Sequence, residues 1–206
     1  MQEKLGFCPW ARMWIKPKET IRALVSYDVR HRFLSLCGVY GLPFMLQIAQ
    51  NMSLGYSYSL TGILISCLFL SVFAGMIGIT LSTAILYVTG KWIGGAASFL
   101  QIRCAVSWSN VTHVASILIW LALVAMFKEK IFTDAFATAP LTKGESMMIL
   151  GVFVIQTIVS IWSFVLLVQS LAEVQGFNAW KSLLNILISF GIVVAFVWLL
   201  GLFLGN

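Results

Sequence analysis

Charged residues are scarce in this sequence. Only 10% of its 206 residues are charged, whereas 60% are hydrophobic, and the mean hydropathy is +0.97. A soluble domain carries about 25% charged residues, and a much smaller share could not cover a globular surface. The composition therefore predicts an integral membrane protein. At about 20 residues for each helical span, the chain has room for four to six spans.

Four long stretches contain no Asp, Glu, Lys or Arg, and they place the spans. Backbone amides in lipid must be bonded within the protein, which favours helices, and the alternation typical of a membrane β-barrel is missing. We predict an all-α, polytopic helical bundle with an N-terminal amphipathic interfacial helix. The five transmembrane helices are expected at about residues 33–50, 60–89, 104–127, 147–172 and 182–204.

The positions of Lys and Arg predict the orientation. Seven basic residues precede the first predicted span, and an N-terminus in the cytoplasm places ten on the cytoplasmic side and three on the other. This asymmetry predicts a cytoplasmic N-terminus and an external C-terminus. It also accounts for most of the net charge of +6, so no nucleic-acid partner is predicted. Because the first 32 residues have no apolar run, no cleavable signal peptide is expected.

Sequence motifs of enzyme chemistry are also missing. There is no HExxH, GxSxG or Walker loop, and no Asp or Glu lies in a predicted span. The four cysteines form no CxxC, so neither a disulfide framework nor a metal site is indicated. We therefore predict a protein that is not an enzyme and has no catalytic residues, cofactor or metal.

The N-terminal segment, residues 1–32, is amphipathic. Aromatic residues such as Trp10 and Trp14 recur at helical spacing among basic ones, and Pro17 suits the first turn of a second short helix. We interpret the segment as cytoplasmic and interfacial, lying in the headgroup layer, with docking of an acidic partner as the alternative. Residues 33–206 form the predicted transmembrane domain.

Small residues and cap motifs give further expectations for the spans. Pro43 should bend or break span one. In span two, two ladders of small residues allow close helix approach; packing within the chain is favoured over a dimer face, and a homo-oligomer is left open. These ladder residues are Ser71, Ala74, Gly75, Gly78 and Ser82. Helix starts are predicted at Ser98 with Gln101, at Thr142 with Glu145, and at Asn178.

Two clusters are candidate sites. The first is an intramembrane polar site, in which His113 has a structural role such as a hydrogen bond across to Gln156, although an intramembrane histidine can also indicate function. Its members are Ser109, Asn110, His113 and Gln156. The second is a charge cluster at the cytoplasmic mouth, because alternating topology brings four charged side chains to one level. Its members are Lys91, Arg103, Glu173 and Lys181. We predict that Glu173 pairs with Arg103, the alternative being that Glu173 faces water.

Several runs of the sequence resemble the Yip (Ypt-interacting protein) family. They are Gly90-Lys91-Trp92-Ile93-Gly94-Gly95 with Ser98-Phe99-x-x-x-Arg103 and Trp108-Ser109, then Ile161-Trp162-Ser163, Ala172-Glu173-Val174-Gln175-Gly176-Phe177 and Trp180-Lys181. Pro17-x-x-Thr20 resembles the bacterial branch. The resemblance implies a five-span bundle with a cytoplasmic N-terminus. Eukaryotic members act in traffic between endoplasmic reticulum and Golgi, associate with Rab-type GTPases, and carry a longer N-terminus with an Asp-Leu-Tyr-Gly-Pro motif, which this sequence lacks.

Two functions follow as hypotheses. The first is a non-enzymatic Yip-type protein that organises protein partners or membrane lipids at its cytoplasmic face. It would lie in the bacterial inner (plasma) membrane or, in a eukaryote, the Golgi or endoplasmic reticulum. The second is a transporter or channel for a lipid or small solute, using the polar first half of span three. A water-filled cavity reaching His113 would favour the second hypothesis, and a close-packed bundle with a cytoplasmic groove would favour the first.

Overall fold

The computed structural model describes residues 6–134, 136 and 142–204, and it is helical. The helices are α1 (Pro9–Arg12), α2 (Pro17–Tyr27), α3 (Phe33–Asn51), α4 (Leu60–Trp92), α5 (Phe99–Ser109), α6 (His113–Phe127), α7 (Lys143–Gln175) and α8 (Ala179–Leu204). Short 3₁₀ turns lie at Leu54–Tyr56, Asn110–Thr112 and Lys128–Phe132. Lys4 and part of the predicted loop 128–146 lie outside the described residues.

Five helical segments in the described part of the chain are long and apolar enough to cross a membrane. They are Phe33–Asn51, Leu60–Trp92, Phe99–Phe132, Lys143–Gln175 and Ala179–Phe203. This confirms the five predicted spans. The third span is not one regular helix, because the 3₁₀ turn Asn110–Thr112 separates α5 from α6.

The three predicted helix starts are confirmed. At α5, Ser98 N donates to Gln101 Oε1 over 2.8 Å and Gln101 N donates to Ser98 Oγ over 3.4 Å. At α7, Thr142 and Glu145 make the same reciprocal pair, with distances of 2.8 and 3.3 Å. At α8, Lys181 N donates 2.8 Å to the side chain of Asn178. Each cap satisfies amide groups that have no partner within the helix.

The contacts divide the chain into two compact units. The first unit comprises Met1–His31, Thr80–Val106 and Leu166–Asn206, and the second comprises Arg32–Ile79 and Ser107–Val165. Residues before the first span thus belong with parts of later spans. The predicted separation of residues 1–32 as an interfacial segment stays a prediction.

In the second unit, α3 and α4 cross with their backbones in contact. A Cβ atom on Gly41 would overlap the carbonyl oxygen of Ser71, and one on Gly75 would overlap that of Cys37. A Cβ on Gly78 would lie 2.9 Å from the ring of Tyr40. Close approach of this kind needs small residues at the crossing. The ladder positions Ser71, Gly75 and Gly78 therefore pack within the chain, as predicted.

The same helix α3 decides half of the expectation that span one bends or breaks at Pro43, and the bend stays a prediction. Pro43 lies inside a helix that continues over Phe33–Asn51, so span one does not break there. Pro43 lacks a backbone N–H and cannot make the usual bond to the preceding turn. The side chain is buried, and the adjacent backbone crossing at Gly41 holds this segment of α3 against α4.

In the first unit, a buried polar network joins α4 to α8. The hydroxyl of Thr89 lies 2.6 Å from Asn185 Oδ1 and 2.7 Å from the hydroxyl of Ser189. Asn185 Nδ2 donates 3.3 Å to the carbonyl of Leu86. Thr89 and Asn185 are fully buried. Hydrogen bonds between membrane helices each contribute about 0.6 to 2 kcal/mol, so this network fixes the packing of α4 against α8.

Candidate two-loop site

Two loops of the first unit come together and form what we call the two-loop site: residues 90–98, residues 172–181 and Arg22. The loop 93–98 joins α4 to α5, and the loop 176–178 joins α7 to α8. Ala96 N donates 3.4 Å to the carbonyl of Gln175. The ends of four membrane-spanning helices therefore meet at this site.

The helices α4 and α7 end in the same way. Gly94 and Gly176 adopt left-handed φ angles of 81° and 69°. The next residue in each case bonds back five positions: Gly95 N to Gly90 O over 2.8 Å, and Phe177 N to Ala172 O over 3.0 Å. This is the Schellman motif, which favours glycine at the left-handed position. Glycine at both positions thus terminates two spans and turns the chain back.

The amide of Gln175 lies between the glycines of the other loop. Gln175 is 2% exposed, and a Cβ atom on either Gly90 or Gly95 would overlap its Oε1. Any larger residue at these glycines would displace the amide. Gln175 thus couples the two loops through its backbone carbonyl and its side chain.

Two exposed lysines lie on this framework. Lys91 Nζ donates 3.1 Å to the carbonyl of Gly95 and lies 5.5 Å from the ring centre of Tyr87. Lys181 Nζ lies 4.6 Å from the ring centre of Phe177 and beside Gly94. Each ammonium lies within cation–π distance of an aromatic ring while its side chain remains exposed. The arrangement can bind an anionic group.

Glu173 is held by a residue that sequence reasoning missed. Arg22 Nε, on α2, donates 2.7 Å to Glu173 Oε1. The Glu173 side chain is 17% exposed and that of Arg22 is 71% exposed. The hydrogen bond to Glu173 raises the pKa of Arg22. The partner of Glu173 is therefore Arg22 on α2 and not the predicted Arg103, which lies half-buried on α5.

Because only one side chain of this ion pair is mostly buried, we expect its two single variants to differ in stability. Arg22→Gln should lower the melting temperature modestly, because it leaves a mostly buried carboxylate without its cation. Glu173→Gln should lower it less, since the exposed guanidinium remains solvated. The double variant should resemble Glu173→Gln alone. Thermal unfolding in detergent measures this.

The exposed Lys18→Gln on the same helix is the matched control for that pair. Equal losses from the two single variants, or a loss from Arg22→Gln no larger than that from Lys18→Gln, would contradict the pairing as a stabilising contact.

The structure separates the four residues of the predicted intramembrane polar site. A cavity of about 530 Å³ in the second unit is lined by His113 and Gln156. Ser109 and Asn110 are not among its described lining residues; the carbonyl of Ser109 accepts a hydrogen bond from Ser163 Oγ over 3.3 Å. Only two of the four predicted residues therefore share a site.

The predicted hydrogen bond between His113 and Gln156 is replaced by other contacts. Gln156 Nε2 donates 3.3 Å to Ser116 Oγ, and the ring of His113 packs edge-on against Tyr40 at 5.4 Å between centres. His113 Nδ1 is buried and has no hydrogen-bond partner in the described part of the chain. The histidine and the glutamine thus face one cavity without bonding to each other.

Comparison with known proteins identifies the family. The Yip1 domain matches residues 11–202 of the chain. The chain belongs to the Yip1 family. No curated protein and no solved structure matches it. The match includes both loops of the two-loop site and every described membrane-spanning helix, so the Yip1 domain accounts for nearly the whole chain as a multi-span membrane protein.

Family membership and the described side chains both bear on the chemistry of this Yip1 domain. Members of the family are in general non-enzymatic membrane proteins. Within the ranges 6–134, 136 and 142–204, no three His, Cys, Asp or Glu side chains are grouped so as to hold a metal ion. The two-loop site offers cations, aromatic rings and a rigid turn, which suit recognition of an anionic surface.

Sequence reasoning missed two residues that build the two-loop site of this Yip1 domain. Arg22 is one of the seven basic residues before span one, and Gln175 belongs to the family-like run from Ala172 to Phe177. One signal was available for Gln175. Its amide directly precedes Gly176 at the end of span four, and the segment after span two contains three glycines, Gly90, Gly94 and Gly95, which leave room for a side chain. For Arg22, the sequence offered no signal that distinguished it from the other basic residues before span one.

Proposed function

We propose that this Yip1-domain protein organises protein partners or lipids at the two-loop site, which faces the cytoplasm. One observation carries the proposal: exposed Lys91 and Lys181 lie at the helix ends beside two loops that Gln175 couples. A rigid cationic surface at a membrane boundary attracts acidic protein segments and anionic headgroups. The proposed location is the plasma membrane.

The test compares the two lysines with basic residues elsewhere. The protein is purified in nanodiscs containing anionic lipid, and co-purifying lipids and proteins are identified by mass spectrometry. Lys91→Gln/Lys181→Gln should lose most of the bound anionic lipid or acidic partner. The exposed pair Lys130 and Lys143, changed likewise to Gln, is the matched control. Equal retention by both double variants would contradict the proposal.

The orientation is a separate prediction. The ten-to-three distribution of basic residues favours a cytoplasmic two-loop site. Exposed Ser57 and Ala96 are changed singly to Cys in a Cys8→Ser background; the other cysteines are buried. An impermeant maleimide added to intact cells should label Ser57→Cys, whereas Ala96→Cys should react only after lysis. The reverse pattern would overturn the orientation.

Transport is the second candidate function, and the cavity at His113 favours it. The cavity reaches the polar group that this hypothesis requires, but its described lining residues include no Asp, Glu, Lys or Arg. An ion would lose its hydration there without gaining a counter-charge. A transported substrate would therefore be neutral. The two candidates use different residues, so variants of one site leave the other intact.

A further inference from the structure

The cavity in the second unit has the dimensions of a ligand site. Its volume of about 530 Å³ lies within the range of about 300–1,000 Å³ that is common for small-molecule pockets. The lining runs along α3 from Tyr40 to Gln50 and along α6 from His113 to Leu123. Ten residues of helix extend about 15 Å, so the cavity is elongated.

Most of the side chains that line the cavity are apolar. Phe44, Ile119, Trp120, Val152 and Phe153 all line it. None of the described lining residues is an acid, a lysine or an arginine. A charged ligand would therefore be disfavoured, whereas an apolar chain or ring would gain from burial.

Hydrogen-bonding groups line both ends of the cavity: Gln47 Nε2 donates 3.0 Å to Gln50 Oε1 at one end, and His113 and Gln156 lie at the other. His113 Nδ1 is buried without a partner among the described residues, and Gln156 Nε2 donates to Ser116 over a long 3.3 Å. A ligand hydroxyl, which both donates and accepts, can bond to the Gln156 amide, which lines the cavity together with the ring of His113.

We propose that this cavity binds a neutral membrane amphiphile, with its hydroxyl between His113 and Gln156 and its apolar chain extending toward Gln50. The occupant is a hydroxyl-bearing lipid taken from the bilayer. Binding needs no transport step and does not involve the two-loop site.

Photolabelling tests the proposal. Nanodiscs containing the protein receive a diazirine-bearing hexadecanol, hexadecyl sulfate or hexadecyltrimethylammonium, and adducts are mapped by mass spectrometry. Hexadecanol should label peptides that contain His113–Leu123 and Ile149–Gln156, saturably, and excess unlabelled hexadecanol should compete. The two charged probes should label these peptides at least several-fold less. Equal labelling by all three probes, or labelling that does not saturate, would overturn the proposal.

Variants on one helix distinguish the cavity from the lipid-facing surface. Val152→Trp fills the cavity, whereas Val154→Trp adds the same bulk at a position that is exposed and outside the lining. The first should abolish saturable labelling and the second should not. Gln156→Leu, which retains the apolar shape, should lower it several-fold. Unchanged labelling in Val152→Trp or in Gln156→Leu would contradict the site.

The variant Lys91→Gln/Lys181→Gln separates this proposal from the proposed function. Labelling of the cavity should be unchanged in it, because neither lysine lines the cavity. Loss of hexadecanol labelling in this variant would show that the label reports the charged surface instead, and it would overturn the assignment of the ligand to the cavity.

Discussion

Gly75→Ala should strongly destabilise the protein. The new Cβ would overlap the carbonyl oxygen of Cys37 and lie 2.6 Å from its carbonyl carbon. Both obstacles are backbone atoms of another helix, so no side chain can rotate away. Overpacking costs about 1–3 kcal/mol and occasionally more. At the upper end this lowers the melting temperature by about 6–12 °C.

The measurement is thermal unfolding in detergent at a fixed heating rate, followed by intrinsic fluorescence. Gly41→Ala should behave similarly, since its Cβ would overlap the carbonyl of Ser71. Gly151→Ala is the matched control: it lies in a spanning helix, and its Cβ would meet nothing within 4 Å. A Gly75→Ala protein as stable as Gly151→Ala would show that α3 and α4 do not cross at this point.

Gly90→Ala should cause the second large loss of stability, and this loss should not add fully to that of a second substitution. The Cβ on Gly90 would overlap Gln175 Oε1 and lie 2.8 Å from Nε2. The three nearest atoms all belong to that one side chain, which is held in a buried space. We expect a loss of about 1–3 kcal/mol and weaker binding at the two-loop site.

Gln175→Ala removes the obstructing amide, so the double variant should be less destabilised than the sum of the singles. Pairs in direct contact couple by about 0.5–3 kcal/mol. Melting temperatures of the four proteins of this cycle measure the coupling. Gly191→Ala, whose Cβ would meet nothing within 4 Å, is the control. Additive losses would mean that Gln175 does not occupy the space beside Gly90.

The spans and caps could be predicted because their signals are local. A stretch without charge reports burial in lipid whatever surrounds it, and Ser98 with Gln101 forms its cap from residues three positions apart. The small residues of α4 also correctly predicted close packing within the chain. Its partner helix precedes it directly in sequence, so a neighbour was available to fill the groove.

The partner of Glu173 could not be predicted in the same way. Hydropathy fixes how deep a residue lies in the membrane, but not which side of its helix faces which neighbour. Arg22 and Arg103 were both basic residues assigned to the same side of the membrane, and only the packing of α2 distinguishes them. His113 posed the same problem: its depth was predictable, but its place beside Tyr40 depends on the rotation of α3.

The backbone crossing of α3 and α4 also has a consequence for biogenesis. These helices are joined by residues 52–59, so the crossing at Gly41 and Gly75 links two spans that follow one another in the chain. Helices inserted into a bilayer associate after insertion, and contacts between sequence neighbours form fastest. The pair can therefore close as a helical hairpin while the third span is still being synthesised. A bulky residue at Gly75 would then prevent this early closure, and the two inserted spans would remain unpaired while the rest of the domain is made.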